Sequence, residues 1–121
     1  MSKHSELGKK GEKIAEEYLL KKEYKILHKN WQDRHKELDI VAEKDNFLIV
    51  VEVKSRTQDY FELPSDAVTR KKQRLIIKAT NTYIEKYNID LEVRFDIISI
   101  LFSNKSYKIE HIEDAFYPIV K

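Results

Sequence analysis

Apolar residues along the chain recur with two different periods. Between residues 7 and about 22, Leu7, Ile14, Ala15, Tyr18 and Leu19 fall at helical spacing, which predicts a first helix with Ser5 as its N-cap. Residues 24–31 alternate loosely and read as a strand, and residues 32–36 as a polar turn. Two denser runs follow, 37–43 and 47–54, both rich in Val, Ile, Leu and Phe and both of strand length. Residues 55–66 hold few apolar positions and Pro64, which predicts a loop. Helical spacing returns between 66 and about 88, where Ala67, Val68, Leu75, Ile76, Ala79, Tyr83 and Ile84 form the stripe. Residues 91–102 read as a long strand apolar on both faces, 107–111 as a closing strand, and 112–121 as a tail.

The predicted order is helix, strand, hairpin, helix, strand, strand. A strand that passes through a helix into the next strand suits a parallel crossover, so the expected fold is an α/β sandwich with a mixed central sheet. No repeat, low-complexity tract or interior linker divides the chain, and one domain over residues 1–121 is expected.

The hairpin carries the candidate chemistry. Asp45-Asn46 tolerates left-handed backbone and suits a two-residue turn, so that residues whose numbers sum to 91 lie opposite each other. Asp39 then faces Glu52, and Glu37 faces Lys54, with opposed β-carbons about 5 Å apart. The period of two puts Glu37, Asp39, Glu52 and Lys54 on one face and Leu38, Ile40, Val51 and Val53 on the other. Opposed like charges repel, and one Lys does not neutralise three carboxylates. A divalent cation such as Mg²⁺ would, because it takes oxygen ligands and is held by one or two carboxylates plus waters. A solvated polar face on an edge hairpin has the same alternation, and spacing alone does not decide between the two.

Composition narrows the classes. With 41% hydrophobic and 36% charged residues and recurrent apolar runs, the chain reads as folded. It has no cysteine, which excludes disulfides and thiolate metal sites and makes a reducing cytoplasm the expected setting. The longest apolar run, 47–51, is too short to span a bilayer, and the first residues show no apolar signal segment, so no membrane partner is expected. A net charge of +2 is mild, and nucleic-acid binding would depend on where the charges sit. Arg70, Lys71, Lys72 and Arg74 crowd the start of the second helix, where positive charge is unfavourable, and so suggest an anionic partner. A solvated basic turn whose stems cover apolar surface is the alternative. Lys72 is in line with Ile76, Ala79 and Tyr83, on the core side. Gly8 and Gly11 are the only glycines and both fall on the stripe of the first helix. Glycine inside a helix costs about 1 kcal/mol against Ala, so a close approach to that turn is expected. Glu12 lies at the stripe's edge, and Arg94 and Asp96, two apart, read as a structural ion pair.

Asp39, followed thirteen residues later by Glu52-Val53-Lys54, matches an Asp…(Asp/Glu)-x-Lys pattern. In chemical terms, two carboxylates hold a metal beside a phosphodiester while the Lys orients the attacking water. The wider set is more specific: Gly8, Gly11-Glu12, Ala15, Tyr18-Leu19; Tyr24, Ile26-Leu27, Asn30-Trp31; residues 37–42; Val51 to Lys54 with Arg56; Ala67-Val68, Lys72-Gln73, Ala79, Tyr83; residues 94–96; and His111-Ile112 with Ala115-Phe116. Over nearly the whole chain this set resembles the YraN-like family of small bacterial proteins, a branch of the restriction-endonuclease-like, PD-(D/E)xK fold related to Holliday-junction resolvases. The resemblance implies an αβββαβ core. It also implies a site of Glu12, Asp39, Glu52 and Lys54, with Glu37 beside it, and Lys72 and Gln73 near the phosphate backbone. The sequence departs from the family at Lys36, where a Gly is usual, and near Phe61 and Glu62, where another Gly is missing.

The reading that follows is a Mg²⁺- or Mn²⁺-dependent endonuclease hydrolysing DNA phosphodiesters, with branched or junction DNA as substrate. Asp39, Glu52 and the Val53 carbonyl would hold the metal, and Glu12 would complete the site. Arg56, Arg70, Lys71, Lys72, Gln73 and Arg74 would meet nucleic acid. A homodimer is expected through the resemblance alone, since resolvases cut two strands together. Two other readings stay open: a nucleic-acid-binding module that does not cut, and an interaction domain whose acidic face pairs with a basic protein.

Overall fold

The structure is a computed structural model, which describes residues 5–57 and 68–118. Its elements are α1 (Glu6–Lys21), β1 (Lys25–Asp33), β2 (Lys36–Lys44), β3 (Phe47–Thr57), α2 (Arg70–Tyr87), β4 (Glu92–Ser103) and β5 (Ser106–Phe116). The strands form one sheet in the order β1-β2-β3-β4-β5, in which β3 and β4 are parallel and the other pairs antiparallel. This mixed sheet between two helices is the expected α/β architecture with a restriction-endonuclease-like core.

Local sequence explains most of the element ends. Ser5 caps α1 by accepting from the Gly8 N–H, and Thr69 caps α2 by accepting from the Lys72 N–H. Asn88 ends α2 in the left-handed region. Asp45 and Asn46 both take positive φ, 53° and 67°, as a primed hairpin turn requires. The β2–β3 register then sums to 91 from Lys44↔Phe47 to Ile40↔Val51, as expected.

Three boundaries differ from the sequence reading. Strand β3 continues to Thr57, where a loop was expected from residue 55, because β4 supplies partners as far as Thr57↔Phe102. Helix α2 begins at Arg70 rather than 66, of which 66 and 67 lie outside the described residues. The expected tail is strand as far as Phe116, which pairs with Phe95 across an irregularity where Asp114 has φ of 56°.

One helix packs on each face. On the α1 side Ala15 and Leu19 meet Ile40, Ala42, Ile49, Val51, Val53, Ile98 and Ile100. On the α2 side Ile76, Ala79 and Tyr83 meet Leu38, Val41, Leu48, Val50, Phe95 and Ile97. Strand β3 thus feeds alternate residues to two cores, as a strand covered on both faces must. Strand β2 does not alternate cleanly. Leu38 packs on the α2 side and Ile40 on the α1 side, so the expected shared face of Leu38 with Ile40, Val51 and Val53 is incorrect. The pattern breaks at Asp39, beside Asn30, which sits in β1 at φ 50°.

A buried polar knot fastens the β4–β5 end to α1. Asp96 is fully buried and accepts from Arg94 through Nε and Nη2, both at 2.9 Å, from His111 Nε2 at 2.7 Å and from the Asp114 N–H at 3.0 Å. His111 Nδ1 lies 2.9 Å from the Tyr18 hydroxyl of α1, and Arg94 Nη2 donates to the Tyr24 hydroxyl. The expected Arg94–Asp96 pair is therefore present and structural. Burial works against the Asp96 charge, but hydrogen bonds from His111, Arg94 and the Asp114 backbone hold its carboxyl below the usual range.

Candidate functional site

Strands β2 and β3 share a ladder only from residue 40 upward. Below that point β2 stays with β1, through Trp31↔Leu38 to Asp33↔Lys36, while β3 stays with β4. The sheet forks, and Asp39 and Glu52 sit at the crotch of the fork. The Asp39 carboxylate accepts from the Val53 N–H at 2.9 Å, replacing the ladder bond that the split removes. Main-chain N–H and C=O of one strand residue point to the same side, so the Val53 carbonyl opens into the same fork.

Glu52 is buried, at 7% exposure, on the α2 side. Lys72 reaches it from α2, with Nζ 3.8 Å from Glu52 Oε2. Asp39 and Glu52 lie close enough for each carboxyl to act on the other's proton equilibrium. Burial, then the Asp39 charge, push the Glu52 carboxyl up to about 8, against the pull of Lys72 and Lys54. Burial also raises Asp39, opposed by the Val53 N–H and Lys72. A single proton shared by the pair offsets the repulsion of two desolvated carboxylates, and a bound cation would do the same.

Glu12 comes from the other helix. It lines a cleft of about 190 Å³ with Lys9, Lys13, Glu16, Lys29, Asn30 and Asp39, so α1 brings it to the α1-facing side of Asp39. Gly11 makes this approach possible. A Cβ there would lie 1.8 Å from Ser55 Oγ and 3.2 Å from Ser55 Cβ, so β3 is the close neighbour that the helix glycine implied. Glu37 is engaged at the β1–β2 hairpin, where it accepts from Gln32 Nε2 at 3.3 Å, and it acts on Asp39 only through its charge. Among the described residues no group of three or more His, Asp or Glu side chains is placed to hold a metal ion. The expected convergence of acidic side chains is thus a pair, because the fork carries Glu37 away with β1. Two carboxylates and a carbonyl still suit a hard cation that keeps most of its waters, as Mg²⁺ does.

The basic residues separate into three places. Lys72 points inward at Glu52, and Lys54 lies two residues from it on β3, half-buried and close enough to pull its proton equilibrium down. Arg56 is buried at 6% exposure and donates to Ser99 Oγ at 3.4 Å, so it belongs to the packed interior. Arg70, Lys71 and Arg74 lie on the outer side of α2, where they line a groove. Gln73 also borders that groove, but its amide donates to the Val68 carbonyl at 3.1 Å. The residues expected to meet nucleic acid therefore do not share one surface, and Lys72 takes the core-facing side that its line with Ile76, Ala79 and Tyr83 predicts: Arg70 and Arg74 lie roughly 200° round the helix from it. Trp31 is buried in the α2-side core, hydrogen-bonded to Tyr87, and lines no groove.

Residues 11–100 match the profile of the uncharacterised protein family UPF0102. A UPF0102 protein of Phocaeicola vulgatus is 53% identical over 118 residues, which covers 98% of both chains. One from Parabacteroides distasonis is 48% identical over 117 residues, or 97% of each. The chain belongs to the UPF0102 family. This is the YraN-like family whose pattern the sequence carries. The UPF0102 match runs from Gly11 in α1 to Ile100 in β4 and so includes the whole fork: Glu12, Asp39, Glu52, Lys54 and Lys72. Tyr117 and the whole of β5 lie beyond it.

Proposed function

We propose that this UPF0102 protein is a metal-dependent endonuclease that hydrolyses DNA phosphodiesters, branched DNA included. The observation that carries the reading is the pairing of half-buried Asp39 with buried Glu52 at the fork of β2 and β3, with Lys54 and Lys72 beside them. Asp39, Glu52 and the Val53 carbonyl would hold Mg²⁺ or Mn²⁺. Such an ion polarises a phosphoryl oxygen and lowers the pKa of a coordinated water. The chain's own groups do the rest. Lys54 would orient the attacking water, and Lys72 would sit against the scissile phosphate once a cation relieves it of balancing Glu52. Glu12 would tune Asp39 from the α1 side. A pair of this kind is costly as mere scaffold, since two adjacent, desolvated carboxylates with raised pKa values destabilise a fold at neutral pH.

The absence of a third acidic ligand among the described residues favours one other reading, a nucleic-acid-binding module that does not cut. Incubating the protein with Mg²⁺ or Mn²⁺ and a four-way junction, a flap and a plain duplex separates the two. The nuclease reading expects nicking that disappears in Asp39→Ala. Glu52→Gln should also abolish cleavage while DNA affinity stays equal or rises, because it removes a carboxylate that repels phosphate. Binding without nicking at any metal concentration would leave only the second reading.

A further inference from the structure

The groove on the outer side of α2 faces away from the acidic pair. Arg70, Arg74 and Lys78 recur every four residues and make one basic stripe about 12 Å long. Together with Lys71 they border a cleft of about 770 Å³ whose opposite wall is Tyr117 and Pro118, which follow β5. Among the described residues no carboxylate lines this cleft. Its surface is largely apolar between the cations. Leu75 is 53% exposed and Tyr117 is 63% exposed, and Ile77 lies between them and the core. The Tyr117 ring is held in place by its hydroxyl, which donates to Asp114 Oδ2 at 3.2 Å.

Four cations and an anchored exposed aromatic ring call for an anion that also has an apolar face. A duplex presents phosphates and sugars to such a surface and keeps its base faces stacked. An unpaired strand presents both phosphates and bases, and grooves that take it combine basic residues along the backbone with aromatic rings under the bases. We propose that the α2–Tyr117 groove docks a single-stranded nucleic-acid segment. Arg70, Lys71, Arg74 and Lys78 hold its phosphates, while Tyr117 and Leu75 stack against a base. The proposal extends the nuclease reading, since α2 then stands between the cleaved phosphate on its Lys72 side and a second, unpaired segment on its outer side. A substrate with both paired and unpaired parts fits that arrangement.

The test measures fluorescence anisotropy of labelled oligo-dT and of a matched duplex, at low salt and with a chelator present so that nothing is cut. The double variant Arg74→Glu with Lys78→Glu should weaken oligo-dT binding by more than tenfold. Tyr117→Ala should weaken oligo-dT binding by about tenfold, leave duplex binding within about twofold, and be partly rescued by Tyr117→Phe, which keeps the ring and loses its Asp114 anchor. All of these residues are exposed, and an unchanged thermal melt shows that the variants remain folded. Equal losses for oligo-dT and duplex, or wild-type affinity in every variant, overturn the proposal. So does a dimer, seen by light scattering, that Leu75→Glu breaks and that excludes oligo-dT, because the groove then belongs to a second copy of the chain. The two claims fail separately. Metal-dependent nicking with unaltered oligo-dT affinity in the groove variants sinks the groove alone. Selective loss of oligo-dT affinity in a protein that never nicks sinks the nuclease reading alone.

Discussion

Gly11 and Ser55 meet where α1 crosses β3, and their contact sets how near Glu12 can come to Asp39. Gly11→Ala should gain up to about 1 kcal/mol in helix propensity and lose more to overpacking, for which about 1–3 kcal/mol is usual, giving a net fall in thermal stability. Among the described residues buried Ser55 Oγ has no hydrogen-bond partner, so Ser55→Ala should leave stability unchanged or raise it, as urea unfolding would show. The acidic pair gives a pH signature. The Glu52 carboxyl is raised in the fold from 4.5 to about 8, so the folded state holds a proton that the unfolded chain has released. Metal-free stability should therefore fall as pH rises between about 4.5 and 8, by at most ~1.4 kcal/mol per pH unit from this group. Glu52→Gln should flatten that slope, and a wild-type stability that rises across the window would contradict the assignment. At this scale the sequence was informative because register follows from the turn. The Asp45-Asn46 turn by itself sets Asp39 beside Glu52. Nothing local marks the fork, since the pairing of Glu37 with β1 rather than β3 is decided by strand splitting. Nor does it mark the burial of Arg56, which depends on β4.

Elements were legible where period and caps agreed. Helix α1, strand β2 and the turn into β3 lie within a residue or two of expectation. The β3 and β5 ends were missed because tertiary partners extend them: β4 carries β3 to Thr57 and β5 to Phe116. Helical spacing sets Lys72 on the core side of α2 from sequence alone, whereas Lys78, which continues the Arg70–Arg74 row, carries no signal until the groove beside Tyr117 is seen. The Tyr18–His111–Asp96–Arg94 knot joins three elements, α1, β4 and β5, and had no signal beyond the Arg94–Asp96 pair. Removing its centre takes the shared acceptor from half-buried Arg94 and His111, so Asp96→Ala should cost about 3 kcal/mol, the low end for a broken buried pair because Tyr24, Glu113 and Tyr18 remain as partners. The lowered Asp96 carboxyl contributes stability that is present above its unfolded value of 3.8 and lost as pH falls through its folded value. Denaturant melts of wild type and Asp96→Ala near pH 3 and pH 6 should differ most at the higher pH.

For the molecule as a whole, two helices clamp a sheet that is closed at one end and forked at the other. The fork holds two carboxylates that stable packing alone would not select. Inner and outer sides of α2 present different chemistry, Lys72 toward the fork and a basic groove toward Tyr117. Among the described residues no helix is long and apolar enough to cross a membrane, in line with the sequence. The central claim is that Asp39 and Glu52 share a divalent cation, and calorimetric titration with Mn²⁺ at neutral pH tests it most directly. The account expects saturable binding in the wild-type protein and a loss of at least tenfold in affinity in both Asp39→Ala and Glu52→Gln. Mn²⁺ binding that is absent from the wild type, or equal in all three proteins, would contradict it.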